Sequence, residues 1–190
     1  SPNFDGTNLG IYSLNYRNKK LEATVGHFYE QFGSGLILRS WEDRQLGVNN
    51  ALLGGRVNYS ILDELSITAL YGKQRVGFKT SDGEIFGANI EYDLSKSLGF
   101  SESSISLGLS YVGRKQVIDV MNPKYNELTN SFSGRLDYSK NSFYAGLEYV
   151  YKSEDAAVLA GQLINQFVNP GSALLINTGF SKKGFGLDAT

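Results

Sequence analysis

Apolar residues recur at every second position along this chain, and most of the rows they form have an aromatic ring at both ends. Tyr16, Tyr59, Tyr92, Tyr138 and Phe180 stand just ahead of short polar turns, and Tyr29, Tyr71, Tyr111 and Tyr149 follow about one strand's length after most of those turns. Period two is the pattern of a strand with one apolar face. An aromatic has an apolar body and Tyr adds a polar tip, so two rings one strand apart suit the two boundaries between lipid headgroups and hydrocarbon. The pattern predicts antiparallel strands that cross a bilayer.

The rows assemble into hairpins. Tyr12, Leu14 and Tyr16 lead through the turn Arg17-Asn18-Lys19-Lys20 to Leu21, Ala23, Val25 and Tyr29. Leu53, Val57, Tyr59 and Ile61 are answered across Leu62-Asp63-Glu64 by Leu65, Ile67, Ala69 and Tyr71. Phe86, Ala88, Ile90, Tyr92 and Leu94 face Ile105, Leu107, Leu109 and Tyr111 across the polar stretch 95–103, and Phe132, Leu136 and Tyr138 face Phe143, Ala145, Leu147 and Tyr149. A fifth hairpin begins at Leu174, Ile176 and Phe180 and turns at 181–184. The alternate positions carry Gly54, Arg56, Asn58, Thr68, Asn89, Glu91, Gly108, Ser110, Ser133, Arg135, Asp137 and Glu148. A water-soluble sandwich would present Lys and Glu on its polar face; these mostly small polar residues suit a crowded, wet interior.

Short turns alternate with long segments at 30–50, 73–84, 113–126 and 152–171. Membrane barrels join strands in this way, with tight periplasmic turns and long outer loops. Residues 21–29 would span about 27 Å at about 3.3 Å each, close to the roughly 25 Å apolar band of such barrels. No apolar run of about 18 residues is present, which excludes a helical membrane protein. A formal charge of −1 without a basic patch speaks against a nucleic-acid partner. With no Cys, disulfides and Cys-based zinc sites are excluded. The first residues show no signal peptide, and residues 184–190 read as the start of a further strand, so the chain is expected to be a piece of a longer protein.

The segment 27–44 breaks the hairpin rhythm and holds the single His, the single Trp and a cluster of charges. Gly33 and Gly35 permit a sharp turn, and Leu36, Ile37 and Leu38 can form a short buried segment, so the segment is expected to fold into the lumen. Arg39, Glu42, Asp43, Arg44 and Arg56 are the lumen-lining candidates, either as a charged constriction or as an ion-pair network that pins the loop. His27 lies in the row of Leu21, Ala23 and Val25, with Tyr29 and no Ser beside it, which is a poor setting for a hydrolase. No catalytic residue, metal site or cofactor is expected; Glu42-Asp43 and Glu154-Asp155 lack calcium-loop spacing. Residues 156–168 carry Val158, Leu159, Leu163 and Phe167 at helical spacing ahead of Asn169-Pro170-Gly171 and are expected to form a helix.

Through its aromatic-flanked hairpins and alternating loop lengths, the chain resembles bacterial outer-membrane β-barrel proteins over nearly its whole length. More narrowly, Gly33-Ser34-Gly35-Leu36-Ile37-Leu38-Arg39, then Trp41-Glu42-Asp43-Arg44, Leu46-Gly47 and residues 50–56, look like a family of large, uncharacterised envelope barrels with no assigned reaction. The resemblance implies a parent longer than 190 residues and transfers no catalytic residue. This chain departs from a complete barrel in lacking a finished C-terminal strand that ends in an aromatic. The expectation is an all-β, antiparallel up-and-down transmembrane β-barrel in the bacterial outer membrane, about ten strands, in one domain or barrel fragment over 1–190. Its expected role is a pore or transport barrel for small solutes. The alternatives are a non-conducting structural or docking subunit that binds another envelope protein, and, third, an outer-membrane hydrolase. Its partners would be membrane lipid and either solutes or that envelope protein.

Overall fold

Tight polar turns send each strand back beside its predecessor, and this local rule generates nearly the whole architecture. The computed structural model describes residues 10–43, 45–116, 126–159 and 162–190, with the side chains of all of these except 156–159 and 162–167. In chain order the elements are β1 (Ser13–Arg17), β2 (Leu21–Phe28), β3 (Glu42–Asp43), β4 (Val48–Asn49), β5 (Leu52–Ser60), β6 (Leu65–Val76) and β7 (Lys79–Asp93). They continue with α1 (Leu94–Leu98), β8 (Ser103–Lys115), β9 (Leu128–Lys140), β10 (Phe143–Leu159), β11 (Gln162–Lys182) and β12 (Phe185–Ala189). Ten of the strands form one antiparallel sheet in the order β1-β2-β5-β6-β7-β8-β9-β10-β11-β12, while β3 and β4 pair separately. No rung joins β1 to β12 among the described residues.

Turn chemistry accounts for the reversals. Asn18 Oδ1 accepts from the backbone N–H of Lys20 and of Leu21, both at 2.8 Å, and closes the β1–β2 turn. Asn141, at φ 52°, takes the left-handed conformation that Asn tolerates in the β9–β10 turn. Between β7 and β8 the polar stretch contains the short helix α1, which was not expected. Asp93 caps it by accepting from Lys96 N at 3.2 Å, and Gly99 ends it at φ 68°.

Two expected loops are strands instead. Residues 73–84 are taken up by β6 and β7, which leave only Gly77 and Phe78 between them, and 152–159 and 162–171 extend β10 and β11. The expected helix over 156–168 is therefore corrected: Ala157 pairs with Ile164, Val158 with Leu163 and Leu159 with Gln162. A hairpin already zipped from Phe143–Phe180 to Lys152–Gly171 offers the backbone ready partners, and this tertiary context overrides the helical spacing. Pro170 is accommodated because it falls at a register shift, where Lys152 pairs with Gly171 but Asp155 pairs with Asn169.

The two faces are inverted relative to a water-soluble sheet. Leu14, Val25, Leu109, Leu136, Leu147, Tyr149 and Ile176 are exposed, Leu109 to 63%, whereas Thr68, Asn89, Ser110, Ser133 and Glu148 are buried, Glu148 to 4% exposure. The buried side is here called the inner face.

Along the outer face the aromatics drift with a constant step. Tyr59 pairs with Ile67 and Ile67 with Ile90, and Tyr92 lies two residues past Ile90. Tyr92 leads through Leu107 to Leu136, two residues short of Tyr138, and Tyr138 leads through Ala145 to Thr178, two short of Phe180. Two residues along for two strands across is about 6.6 Å against about 9.6 Å, a slant of about 35°.

Backbones approach closely on the inner face where Gly26, Gly54 and Gly72 share one rung. A Cβ on Gly54 would meet the Tyr71 carbonyl oxygen at 2.0 Å and Gly72 Cα at 2.6 Å, both backbone atoms. On the outer face a Cβ on Gly134 would meet only Leu109 Cδ2, at 3.8 Å. Gly54→Ala is expected to cost about 1–3 kcal/mol through overpacking, and Gly134→Ala to be neutral, as read from denaturant midpoints of the two variants.

Candidate functional site

The segment after β2 folds back against the inner face, as its glycines suggest, but of the apolar triplet only Leu38 is buried: Ile37 is partly buried and Leu36 is exposed. Gly33 (φ 54°) and Gly35 (φ 93°) make the reversal. Phe32 N donates to Leu38 O at 3.1 Å, Ser40 N to Glu30 O at 2.9 Å, and Gln31 pairs with Arg39 across the finger so formed. Phe32 is fully buried and packs in a cluster with Phe28, Leu38, Leu52, Leu70 and Val112. Its ring lies over Gly87 of β7, where a Cβ would stand 3.0 Å from Phe32 Cε2, so the missing side chain makes the ring's seat.

Polar contacts pin the finger at base and tip. At the base, Arg56 on β5 donates to Glu30 through Nε and to Glu22 through a terminal nitrogen at 2.8 Å. At the tip, Glu148 on β10 accepts from Ser34 N at 3.0 Å and from Ser133 Oγ at 2.6 Å. Arg135 on β9 donates to Ser110 Oγ at 2.7 Å and to Asn89 Oδ1 at 2.6 Å. Its guanidinium runs between Gly33 of the finger and Gly108 of β8, at each of which a Cβ would come within 2.5 Å of it. The finger thus contacts strands from β2 across to β10.

The five charged candidates are not gathered in one place. Arg56 is on the inner face and holds the base of the finger. Arg39 is exposed, with its guanidinium 4.9 Å above the Trp41 ring. Glu42 lies on β3, and Asp43 caps the β3–β4 turn by accepting from Gln45 N at 2.9 Å and Leu46 N at 3.0 Å. Arg44 lies outside the described residues. Glu30, Arg135 and Glu148 escaped the sequence reading as site residues. Alternation had put Arg135 and Glu148 on the polar face, but only the curl of the sheet brings them to the finger.

The aromatics occupy the outer face at both ends of the strands. Tyr16, Tyr29, Tyr59, Tyr71, Tyr149 and Phe180 are all exposed. Among the remaining three, Tyr111 stacks against Phe132 at 5.1 Å between centroids and Tyr138 against Phe143 at 6.3 Å, while Tyr92 hydrogen-bonds Ser97. His27 is buried under Tyr12, edge to face at 4.8 Å, and its Nδ1 lies 3.3 Å from both the N and the O of Tyr12.

Toward the short turns, the inner face opens into two cavities of about 320 Å³ each. Both include Glu91, Arg135 and Asp137. Their combined lining holds Asp63, Glu64, Glu91, Asp93, Asp137 and Glu148 against Lys96 and Arg135, so carboxylates outnumber cations by six to two. No group of three or more His, Cys, Asp or Glu among the described residues is placed to hold a metal ion.

At the opposite end, beyond Tyr149, Asp155 ties the long β10 extension to its neighbours. It accepts from Arg114 at 2.6 Å, Lys152 at 3.0 Å and Thr129 at 3.3 Å. Burial alone would raise the Asp155 carboxyl, but Lys152 and Arg114 outweigh it and hold the group below its ordinary 3.8. A lowered folded-state pKa contributes stability that is fully present above the unfolded value and is lost as pH falls through the folded one. The β10 extension is expected to stay ordered at neutral pH and to loosen as pH falls below about 4, and Asp155→Asn to abolish that acid step. Amide exchange of residues 152–155 against pH reads both.

The fold and site define an all-β class: an antiparallel meander with its apolar face outward, its polar face inward, and a loop pinned on the polar side. By its sequence the chain belongs, over residues 1–190, to a family of unknown function (DUF6029). No curated protein and no solved structure matches it.

Proposed function

We propose that this chain is the wall of an outer-membrane β-barrel, with the finger as its constriction, and that it passes small polar solutes with a preference for cations. The observation that carries the reading is the inversion of the sheet. Leu109, Leu136, Leu147 and Ile176 face outward unprotected while Asn89, Ser110, Ser133 and Glu148 are buried, an arrangement suited to lipid outside and polar contents inside. The constant slant of the aromatics adds to it, because rings held level at a membrane boundary would tilt the strands by about 35°, within the usual range for barrels. Within the ten-stranded sheet each strand pairs with the next one along the chain, save that the separate β3–β4 pair intervenes between β2 and β5, and this is the up-and-down order such barrels use. The excess of carboxylates below the finger supports cation preference.

A second reading draws on the finger itself. Phe32 has no exposed surface, and the finger is held at Glu30, Gly33 and Ser34, which favours a lumen that stays shut and a non-conducting subunit of an envelope complex.

Bilayer recording on the full chain separates the two. Cation-selective steps that grow when Arg56→Ala releases the base of the finger support the pore; silence from both proteins after demonstrated insertion supports the closed subunit. The membrane reading has its own test. Leu109→Arg, on the outer face between the level of Tyr92 and Tyr111, is expected to cost roughly 2–4 kcal/mol near the bilayer midplane, and Ser106→Arg on the inner face far less. Unfolding titrations in lipid that show equal tolerance at the two positions would count against a barrel.

A further inference from the structure

One cavity on the outer face is cationic. It measures about 370 Å³ and is lined by Tyr12, His27, Leu53, Arg75, Phe78, Lys79 and Thr80, with two permanent cations and no carboxylate. Arg75 spends its Nε on the Gly77 carbonyl at 2.6 Å, and neither Arg75 nor Lys79 forms an ion pair among the described residues. Glu84, on a neighbouring rung, is paired with Lys73 at 3.8 Å and is not part of the lining.

The cavity's level on the wall follows from the register. Val25, Gly55, Tyr71 and Phe86 share a rung, and His27, Leu53, Lys73 and Glu84 share the next one but one, on the side away from the short turns. The cavity therefore begins one outward-facing row beyond Tyr71. Below it a shallow track runs toward the middle of the wall. Gly55 carries no side chain, and a Cβ there would meet nothing closer than Thr24 O at 3.9 Å; Val25 and Tyr71, exposed to 65% and 49%, form its sides, and Val57 on the same strand stands at its lower end.

We infer that this cavity holds the phosphate headgroup of an anionic lipid, with an acyl chain of the same lipid lying along the Gly55 track. Charge complementarity selects the headgroup, since Arg and Lys without carboxylates bind phosphate by charge-assisted hydrogen bonds. Continuity with an apolar track selects a lipid over a free anion, because a soluble phosphate would leave Val25, Gly55 and Val57 uncovered. The inference rests on the membrane reading above and adds a specific lipid site to it.

The test uses the full chain reconstituted in phosphatidylcholine nanodiscs doped with phosphatidylglycerol, with retained lipid counted by native mass spectrometry. Wild type is expected to retain phosphatidylglycerol preferentially, and an Arg75→Gln, Lys79→Gln double variant to retain it roughly tenfold less. A Lys182→Gln, Lys183→Gln variant, which removes equal charge at the short-turn end, is expected to behave as wild type, and Arg75→Lys to keep most of the retention. Equal retention by wild type and the Arg75/Lys79 variant overturns the site while leaving the barrel reading intact. Displacement of the lipid by inorganic phosphate alone overturns the lipid assignment in favour of a free anion. Failure of every protein to insert overturns the membrane reading and this site with it.

Discussion

Turning a sheet's polar side inward is possible only if every donor and acceptor brought out of water finds a partner, and this requirement organises the molecule. Among the described residues no buried side-chain nitrogen or oxygen lacks one. Arg135 is the centre of that solution: it serves Ser110 on one strand and Asn89 on another, while Glu148, directly opposite it on the same rung, serves Ser133 and the finger. An aliphatic side chain in place of Arg135 would remove one of the two donors that Asn89 Oδ1 accepts from, leaving it the Ser110 hydroxyl at 2.7 Å.

The finger and the wall solve complementary problems. The wall supplies an apolar patch on an otherwise polar face, at Phe28, Leu52, Leu70 and Val112, and the finger supplies Phe32 and Leu38 to cover it. Glycines set the fit, because Gly87 admits the Phe32 ring and Gly33 and Gly108 admit the Arg135 guanidinium. Steric room at these glycines and the contacts at Glu30 and Ser34 together fix where the finger lies.

Much of this was legible in the sequence because the governing signals are local. The ten strands of the large sheet, the two faces and the tight connections after β1, β5, β9 and β11 follow from alternation and turn residues such as Asn18 and Asn141. The inward path of the finger followed from Gly33, Gly35 and the apolar triplet. Most of what escaped depends on partners distant in sequence. Residues 156–168 have helical spacing and become strand because an established hairpin supplies their backbone partners, and α1 is hidden in a polar stretch whose Asp93 cap and Gly99 stop are short-range signals read as a plain turn. The Glu30–Arg56 and Ser34–Glu148 contacts could not be read from composition, since alternation names a face but not which strands curl toward each other.

The Ser34–Glu148 hydrogen bond joins residues 114 positions apart. A chain that folds hairpin by hairpin makes β2 and the finger early, yet the acceptor for the finger's tip arrives only with β10. Until then the finger has part of its apolar seat and none of its terminal anchor, so its final docking belongs to the last stage of assembly and bears the loop-closure entropy of the intervening strands. On that order the tip of the finger is the last part to be secured, and the same contact is the natural point at which it would first come loose.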